Sequence, residues 1–108
     1  MRRGEIWTAA GGVYASKPRP VLVIQDDHFT GTDSVTVIPM TTTAIDAPLL
    51  RIPIDPTPTN GLGQPSQIMI DKVTTTRRST VHKRLGTLAA ADLVRVERSL
   101  LVFLGMGA

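Results

Sequence analysis

The sequence predicts a mainly β fold with one C-terminal α-helix, assembled as a small, partly open β-barrel. Three observations carry this reading. Apolar residues alternate over short segments bounded by Gly, Pro, Asn and Asp. Only residues 89–105 repeat apolar side chains at three- and four-residue spacing. A chain of 108 residues, 42% hydrophobic and 19% charged, suits a single domain around one core, so residues 1–108 are expected to form one unit.

Taken in order, GEIWTAA (4–10) reads as a first strand, with Ile6 alternating against Glu5 and Trp7. GGVYASKP (11–18) is a loop marked by glycine and proline. RPVLVIQ (19–25) is a continuous β-branched run, as expected of a strand buried on both faces. DDHFTGTD (26–33) is a turn with room for one helical turn. SVTVIPM (34–40) is a further strand, and Pro39 predicts its end or an edge position. LLRIPI (49–54) sets Leu50, Ile52 and Ile54 on one face. The proline-rich 55–65 is a long turn. In SQIMID (66–71), Ile68 and Ile70 point inward and Gln67, Met69 and Asp71 share the other face. A short strand is expected around 84–88. In the final helix Leu93, Val96, Leu100, Phe103 and Leu104 form the core-facing stripe. Thr87 or a neighbour is expected to cap its start, and Gly105 to end it.

Composition removes several chemistries. There is no cysteine, which excludes disulfides, thiolate metal sites and cysteine nucleophiles. The opening MRRGEIW has no apolar segment of a secretory signal behind it, and no apolar run approaches a membrane span. A cytoplasmic protein without membrane association is expected. His28 and His82 are far apart, and the adjacent Asp26, Asp27 and His28 lack the spacing of a ligand set, so no metal is expected. The net charge of +3 is modest, but residues 72–84 hold Lys72, Arg77, Arg78, Lys83 and Arg84 without an acid. Such a block suits a polyanion or, equally, a solvated surface.

Three further residues stand out. Arg19 lies between Pro18 and Pro20. Proline fixes its own φ and pushes the residue before it into extended geometry, so this long cation is launched from stiff backbone. Thr41 opens a threonine run directly after a strand, and Asp71 is presented outward beside Lys72. Taken singly, each has an ordinary use: a strand-start arginine, a turn oxygen, a surface ion pair. Aromatic residues are few. Trp7 and Tyr14 offer at most single-base stacking, and packing is the commoner use of such side chains.

Taken together, RRGEIW, PRPVLVIQDD, VIPMTT, DKVTTT followed by KRLGTL, and the amphipathic C-terminal helix resemble the MazF/PemK family in order over nearly the whole chain. These are the toxin halves of bacterial toxin–antitoxin pairs. The resemblance implies an SH3-like barrel of the PemK/CcdB type, acting as a homodimer. It implies a metal- and cofactor-independent endoribonuclease that cuts single-stranded RNA to a 2′,3′-cyclic phosphate and a 5′-hydroxyl. Arg19, Thr41 and Asp71 match the catalytic positions. Lys17, Lys72, Arg77, Arg78, Lys83 and Arg84, with Tyr14, are the expected RNA contacts. The implied protein partner is a cognate antitoxin whose acidic tail covers the RNA groove. Met69 departs from the arginine that PemK-type members carry two residues before the aspartate, and Lys72 and Thr74 depart from a common glutamine and arginine. A fixed guanidinium suits the charge that builds on phosphorus when a 2′-oxygen attacks. Thr41 would hydrogen-bond a phosphate oxygen or the 2′-oxygen, and Asp71 is the better candidate base by chemistry. Two other functions fit the same fold: a non-catalytic RNA-binding barrel and a CcdB-like gyrase poison.

Overall fold

The computed structural model describes residues 1–10 and 17–107; Tyr14, an expected RNA contact, lies outside the described residues. Within them, seven strands precede one helix: β1 (Glu5–Ala9), β2 (Arg19–Val23), β3 (Ser34–Thr41), β4 (Arg51–Ile54), β5 (Ser66–Met69), β6 (Thr74–Arg77), β7 (Val81–Thr87) and α1 (Ala90–Phe103). All pairings are antiparallel, in the order β4-β5-β3-β2-β1-β7, with β6 paired to the first half of β3.

The continuous apolar run in β2 does what its composition requires. Leu22 enters the main core with Ile6, Ile38, Met40, Ile52, Ile54, Ile68, Ile70 and Val96, while Val21 and Val23 join a second cluster on the other face with Ala9, Val35, Val37 and Val81. Each such aliphatic side chain, fully buried, contributes about 1.5–3 kcal/mol of transfer free energy. Trp7 packs against the second cluster, so its ring serves packing.

Pro39 neither ends β3 nor lies at an edge. It is buried and paired with Val21 on one side. On the other side β6 pairs only as far as Val37 and β5 begins at Met40, so the missing N–H falls between two ladders. The segment 49–54 becomes a strand only from Arg51, because Leu49 is turned out to solvent. Strand β6 carries no apolar alternation in its TTTR sequence and is fixed by pairing with β3. Strand β7 starts at Val81, three residues earlier than expected.

The 55–65 turn closes the barrel by crossing from β4 to β7. Thr87 donates its N–H to the Thr59 carbonyl at 2.9 Å. The approach is so close that a Cβ on Gly86 would stand 2.2 Å from the Thr59 oxygen. Asn60, buried inside the turn, holds its shape: Oδ1 accepts from the Thr57 and Leu62 N–H groups at 3.0 Å each, and Nδ2 donates to the Asp55 carbonyl at 2.9 Å.

The buried part of the helix is shorter than its apolar stripe. Val96 is buried and Leu93 and Leu100 are half-buried, but Phe103 and Leu104 are exposed, against expectation. Thr87 does not cap its start. The N-cap is Ala89, with no side-chain cap hydrogen bond. At the other end Gly105 adopts φ +74°, with Gly105 N–H bonded to the Val102 carbonyl and Met106 N–H to the Leu101 carbonyl, a left-handed stop that glycine makes without strain. No helix among the described residues is long and apolar enough to cross a membrane.

Candidate active site

Strand register brings Arg19 and Thr41 together. β2 and β3 pair Val21 with Pro39, Leu22 with Ile38 and Val23 with Val37. Carried two residues further, the same register sets Arg19 beside Thr41. On their outer sides Arg19 pairs with Ala9, and Thr41 with Gln67. Gln67, Thr41, Arg19 and Ala9 thus form one cross-strand row whose side chains share a face. Arg19 is exposed and Thr41 half-buried, and Lys17 stands exposed two residues before Arg19.

The Thr41 hydroxyl is already oriented. Its Oγ1 accepts the N–H of Thr43 at 3.1 Å, which occupies one lone pair and leaves the O–H proton to donate outward. The segment that follows is tied to β5: Ile45 N–H donates to Gln67 Oε1 at 3.2 Å, and Gln67 Nε2 donates to the Ile45 carbonyl at 3.1 Å.

Asp71 is not in this row. It lies in a 3-10 turn, Ile70–Lys72, rather than on a strand end. It stands four residues beyond Gln67, roughly 10–13 Å along the chain at strand spacing. One carboxylate oxygen is taken by Nη1 of Arg51, a guanidinium only 9% exposed. Sequence reasoning missed Arg51, whose carboxylate partner lies twenty residues further along the chain. Arg51 is the cross-strand partner of Met69, so β4 places on Asp71 a guanidinium that β5 does not supply.

The basic block divides. Lys72, Arg77, Lys83 and Arg84 are exposed and spread over the 3-10 turn, β6 and β7. Arg78 is spent on the fold: Nε donates to the Thr32 carbonyl at 2.6 Å and Nη2 to the Phe29 carbonyl at 3.4 Å. Arg84 donates to Glu5 Oε2 at 2.9 Å and to Thr87 Oγ1 at 2.7 Å. Glu5 also accepts from Trp7 Nε1 and the Arg2 N–H. Partial burial raises the Glu5 carboxyl, but the donors Arg2, Trp7 and Arg84 outweigh it and hold it below the ordinary value of 4.5. At the 26–28 turn, Asp26 accepts both the N–H and Nδ1 of His28. This lowers the carboxyl and raises the imidazole, as expected of a capping turn.

A concavity of about 500 Å³ lies beyond Gln67 between residues 45–48, β4 and α1. Its charged lining is Arg51, Arg95 and Arg98 with Asp46; Arg51 is paired with Asp71 and Arg95 with Asp92. A smaller cleft of about 170 Å³ lies on the other side of Gln67, lined by Thr42, Ala44, Pro53, Asp55, Pro65 and Ser66 among others.

The chain is thus an antiparallel barrel with one C-terminal helix whose adjacent strand ends carry an arginine and a hydroxyl side by side. The chain belongs to the family of PemK-like, MazF-like toxins of type II toxin–antitoxin systems, whose family model matches residues 2–104. It is 62% identical over 107 residues to a probable endoribonuclease MazF of Mycolicibacterium smegmatis, covering 98% of each chain. Its structure resembles the toxin MazF-mt6 of Mycobacterium tuberculosis at TM-score 0.80 and 26% identity, covering 94% of this chain and 97% of that one. The fold also matches a mycobacterial endoribonuclease in complex with its cognate antitoxin, at TM-score 0.83 and 20% identity over 98% and 96% of the two chains.

Proposed function

We propose that this toxin is an endoribonuclease that cuts single-stranded RNA without a metal ion, with Arg19 and Thr41 as its catalytic residues. The observation that carries the reading is the shared row of Arg19 and Thr41, with the Thr41 oxygen already accepting from Thr43. RNA brings its own nucleophile, the 2′-hydroxyl next to the scissile phosphate. As that oxygen bonds to phosphorus the P–O5′ bond breaks, the proton leaves the 2′-hydroxyl for solvent and solvent returns one to the departing 5′-oxygen, while negative charge grows on the phosphate. Arg19 meets it with two parallel N–H donors, and Thr41 donates one O–H. The products are a 2′,3′-cyclic phosphate and a 5′-hydroxyl. Asp71 enters as a brace rather than a base, since Arg51 already occupies one of its carboxylate oxygens.

Lys17, Lys72, Arg77 and Lys83, exposed around the barrel, serve RNA phosphates. Arg78 and Arg84 contribute less, being committed to internal partners. The protein works in the cytoplasm, where its RNA and a cognate antitoxin with an acidic tail are found. A second copy of the chain supplies cover for the end of α1. There Val102, Phe103, Leu104 and Met106 are exposed by 60%, 43%, 52% and 70%, large apolar side chains close together in sequence and open to water.

The test is cleavage of total RNA in excess EDTA, then of a cleaved oligonucleotide carrying a single 2′-deoxy residue on the 5′ side of the cut. Cleavage should persist in EDTA and stop on the deoxy substrate, which should still compete for binding. Arg19→Ala and Thr41→Val should each lower the rate by roughly 100-fold or more with the fold intact. Cleavage of the deoxy substrate, or activity that EDTA removes and metal restores, would overturn the mechanism. DNA breakage through gyrase, with no RNA cut, would replace it with the gyrase-poison reading.

A further inference from the structure

Gln67 is left without a role in the reaction as described, yet its placement is specific. It is the cross-strand partner of Thr41. Its carboxamide offers Ile45 one acceptor and one donor, at 3.2 and 3.1 Å, as a neighbouring strand would. Only one orientation of the amide satisfies both bonds, since a backbone N–H can only donate and a carbonyl only accept. The clamp closes on the segment that leaves Thr41. Between Thr41 and Ile45 the only other tie among the described residues is the Thr43 N–H on the Thr41 hydroxyl. Burial does not hold this segment, because residues 42–46 are all exposed. Gln67 also forms part of the wall of both concavities, the 500 Å³ groove and the 170 Å³ cleft.

We propose that Gln67 is a positioning residue for RNA cleavage, its carboxamide fastening Ile45 so that the 41–45 segment holds the Thr41 hydroxyl on the scissile phosphate. The proposal rests on the assignment of Thr41 made above. Glutamine is suited to the task because one side chain both donates and accepts. Methionine has the same reach and does neither. An ionised glutamate accepts from Ile45 N–H but sets a second acceptor against the Ile45 carbonyl, and a protonated one recovers the donor.

The experiment compares Gln67→Met, Gln67→Glu, Thr41→Val and the Thr41→Val/Gln67→Met double variant on an RNA that the unchanged protein cuts. Gln67→Met should lower kcat by about 10–100-fold, the cost of a misplaced catalytic group, and leave KM unchanged. Gln67→Glu should cleave as poorly near neutrality and recover towards the unchanged protein as the pH falls through the glutamate range, about 4.3. Each rate is divided by that of the unchanged protein at the same pH. Charged neighbours lining the two concavities, Asp46, Arg51, Asp55, Arg95 and Arg98, are common to both proteins and set only where recovery falls. In the Thr41→Val background the methionine should add no further loss. An unchanged kcat in folded Gln67→Met, or a loss that adds fully to that of Thr41→Val, overturns the clamp. Should Gln67→Met not fold, the pH response of Gln67→Glu decides alone, a flat ratio overturning the proposal. Normal cleavage by Thr41→Val would remove the assignment of Thr41 and the clamp with it, whereas a crippled Thr41→Val beside an intact Gln67→Met removes only the clamp.

Discussion

Asn60→Ala should destabilise the protein more than a polar residue in a loop ordinarily does. The side chain is 4% exposed and its amide serves three backbone groups: the N–H of Thr57 and of Leu62 and the carbonyl of Asp55. Leu62 is itself buried, so its N–H is left without water once the amide is gone, at about 1–3 kcal/mol. Thr57 and Asp55 are exposed and can turn to solvent, so their two bonds count for about 1 kcal/mol together. The sum is roughly 2–4 kcal/mol, a large part of the ~5–15 kcal/mol expected of a small domain. Urea unfolding followed by the single tryptophan, Trp7 on β1 beside β7, measures it directly. Asn60→Asp keeps both acceptor bonds but sets a second acceptor against the Asp55 carbonyl in a buried site, so its cost should shrink as the pH falls and the carboxyl takes up a proton. A loss below ~1 kcal/mol for Asn60→Ala would show that the turn does not depend on this amide and that barrel closure is carried elsewhere.

Replacing Lys72, Arg77 and Lys83 by glutamine should flatten the salt dependence of RNA binding by about 0.7 in log–log slope for each phosphate no longer neutralised. Arg78→Gln should instead lower thermal stability with little change in slope, and an unchanged slope in the triple variant would make the block a solvated surface. Glu5 has its carboxyl lowered in the fold, so its stabilisation is present above its unfolded value near 4.5 and disappears as the pH falls through the folded value. Glu5→Gln should therefore show a shallower loss of stability below about pH 4.5 than the unchanged protein, and parallel curves would exclude Glu5 as a source of that slope. Asp71→Asn strips Arg51 of its partner and should cost about 2–4 kcal/mol, somewhat under the fully buried range because Asp71 keeps some water. The Arg51→Met/Asp71→Asn pair should recover most of that stability and retain cleavage; a folded double variant devoid of activity would return Asp71 to the chemistry.

What was legible in the sequence follows from which interactions are local in character. The double burial of β2 shows in PVLVI because apolar residues occur at consecutive positions, and Gly105 marks the helix stop because a left-handed residue is needed there. Arg19 stood out by its flanking prolines and Thr41 by its strand end, but only the resemblance tied the two to one site. Strand β6 was not, because TTTR is a strand only by virtue of its pairing with Ser34–Val37. Nor was Arg51, which reads as an outward strand residue until β5 and the following 3-10 turn carry Asp71 to it. Gln67 showed its face but not its use, since Ile45 is twenty-two residues away. In each case the missing element is a long-range partner, which neither periodicity nor propensity encodes.

The placement of the site also separates its rigidity from the stability of the whole. Thr41 is the first residue past the fully buried Met40, and Arg19 lies just before Pro20 and the buried Val21. Both groups therefore leave the core from its edge, on backbone that packed neighbours already hold, and little has to rearrange as charge develops on a bound phosphate. The row containing them ends at Ala9, which pairs with Val81 at the start of β7. The barrel-closing turn meets β7 at its other end, through Leu85, Gly86 and Thr87. Four to six steps along the strand, roughly 13–20 Å, separate the two. Loosening the turn should therefore lower the unfolding midpoint of Asn60→Ala while leaving kcat unchanged at temperatures where the variant is folded. Gln67→Met should do the reverse, leaving the midpoint nearly in place and lowering kcat. If the two variants instead lost stability and rate in the same proportion, the site would be drawing its order from the whole barrel rather than from the ends of β2, β3 and β5.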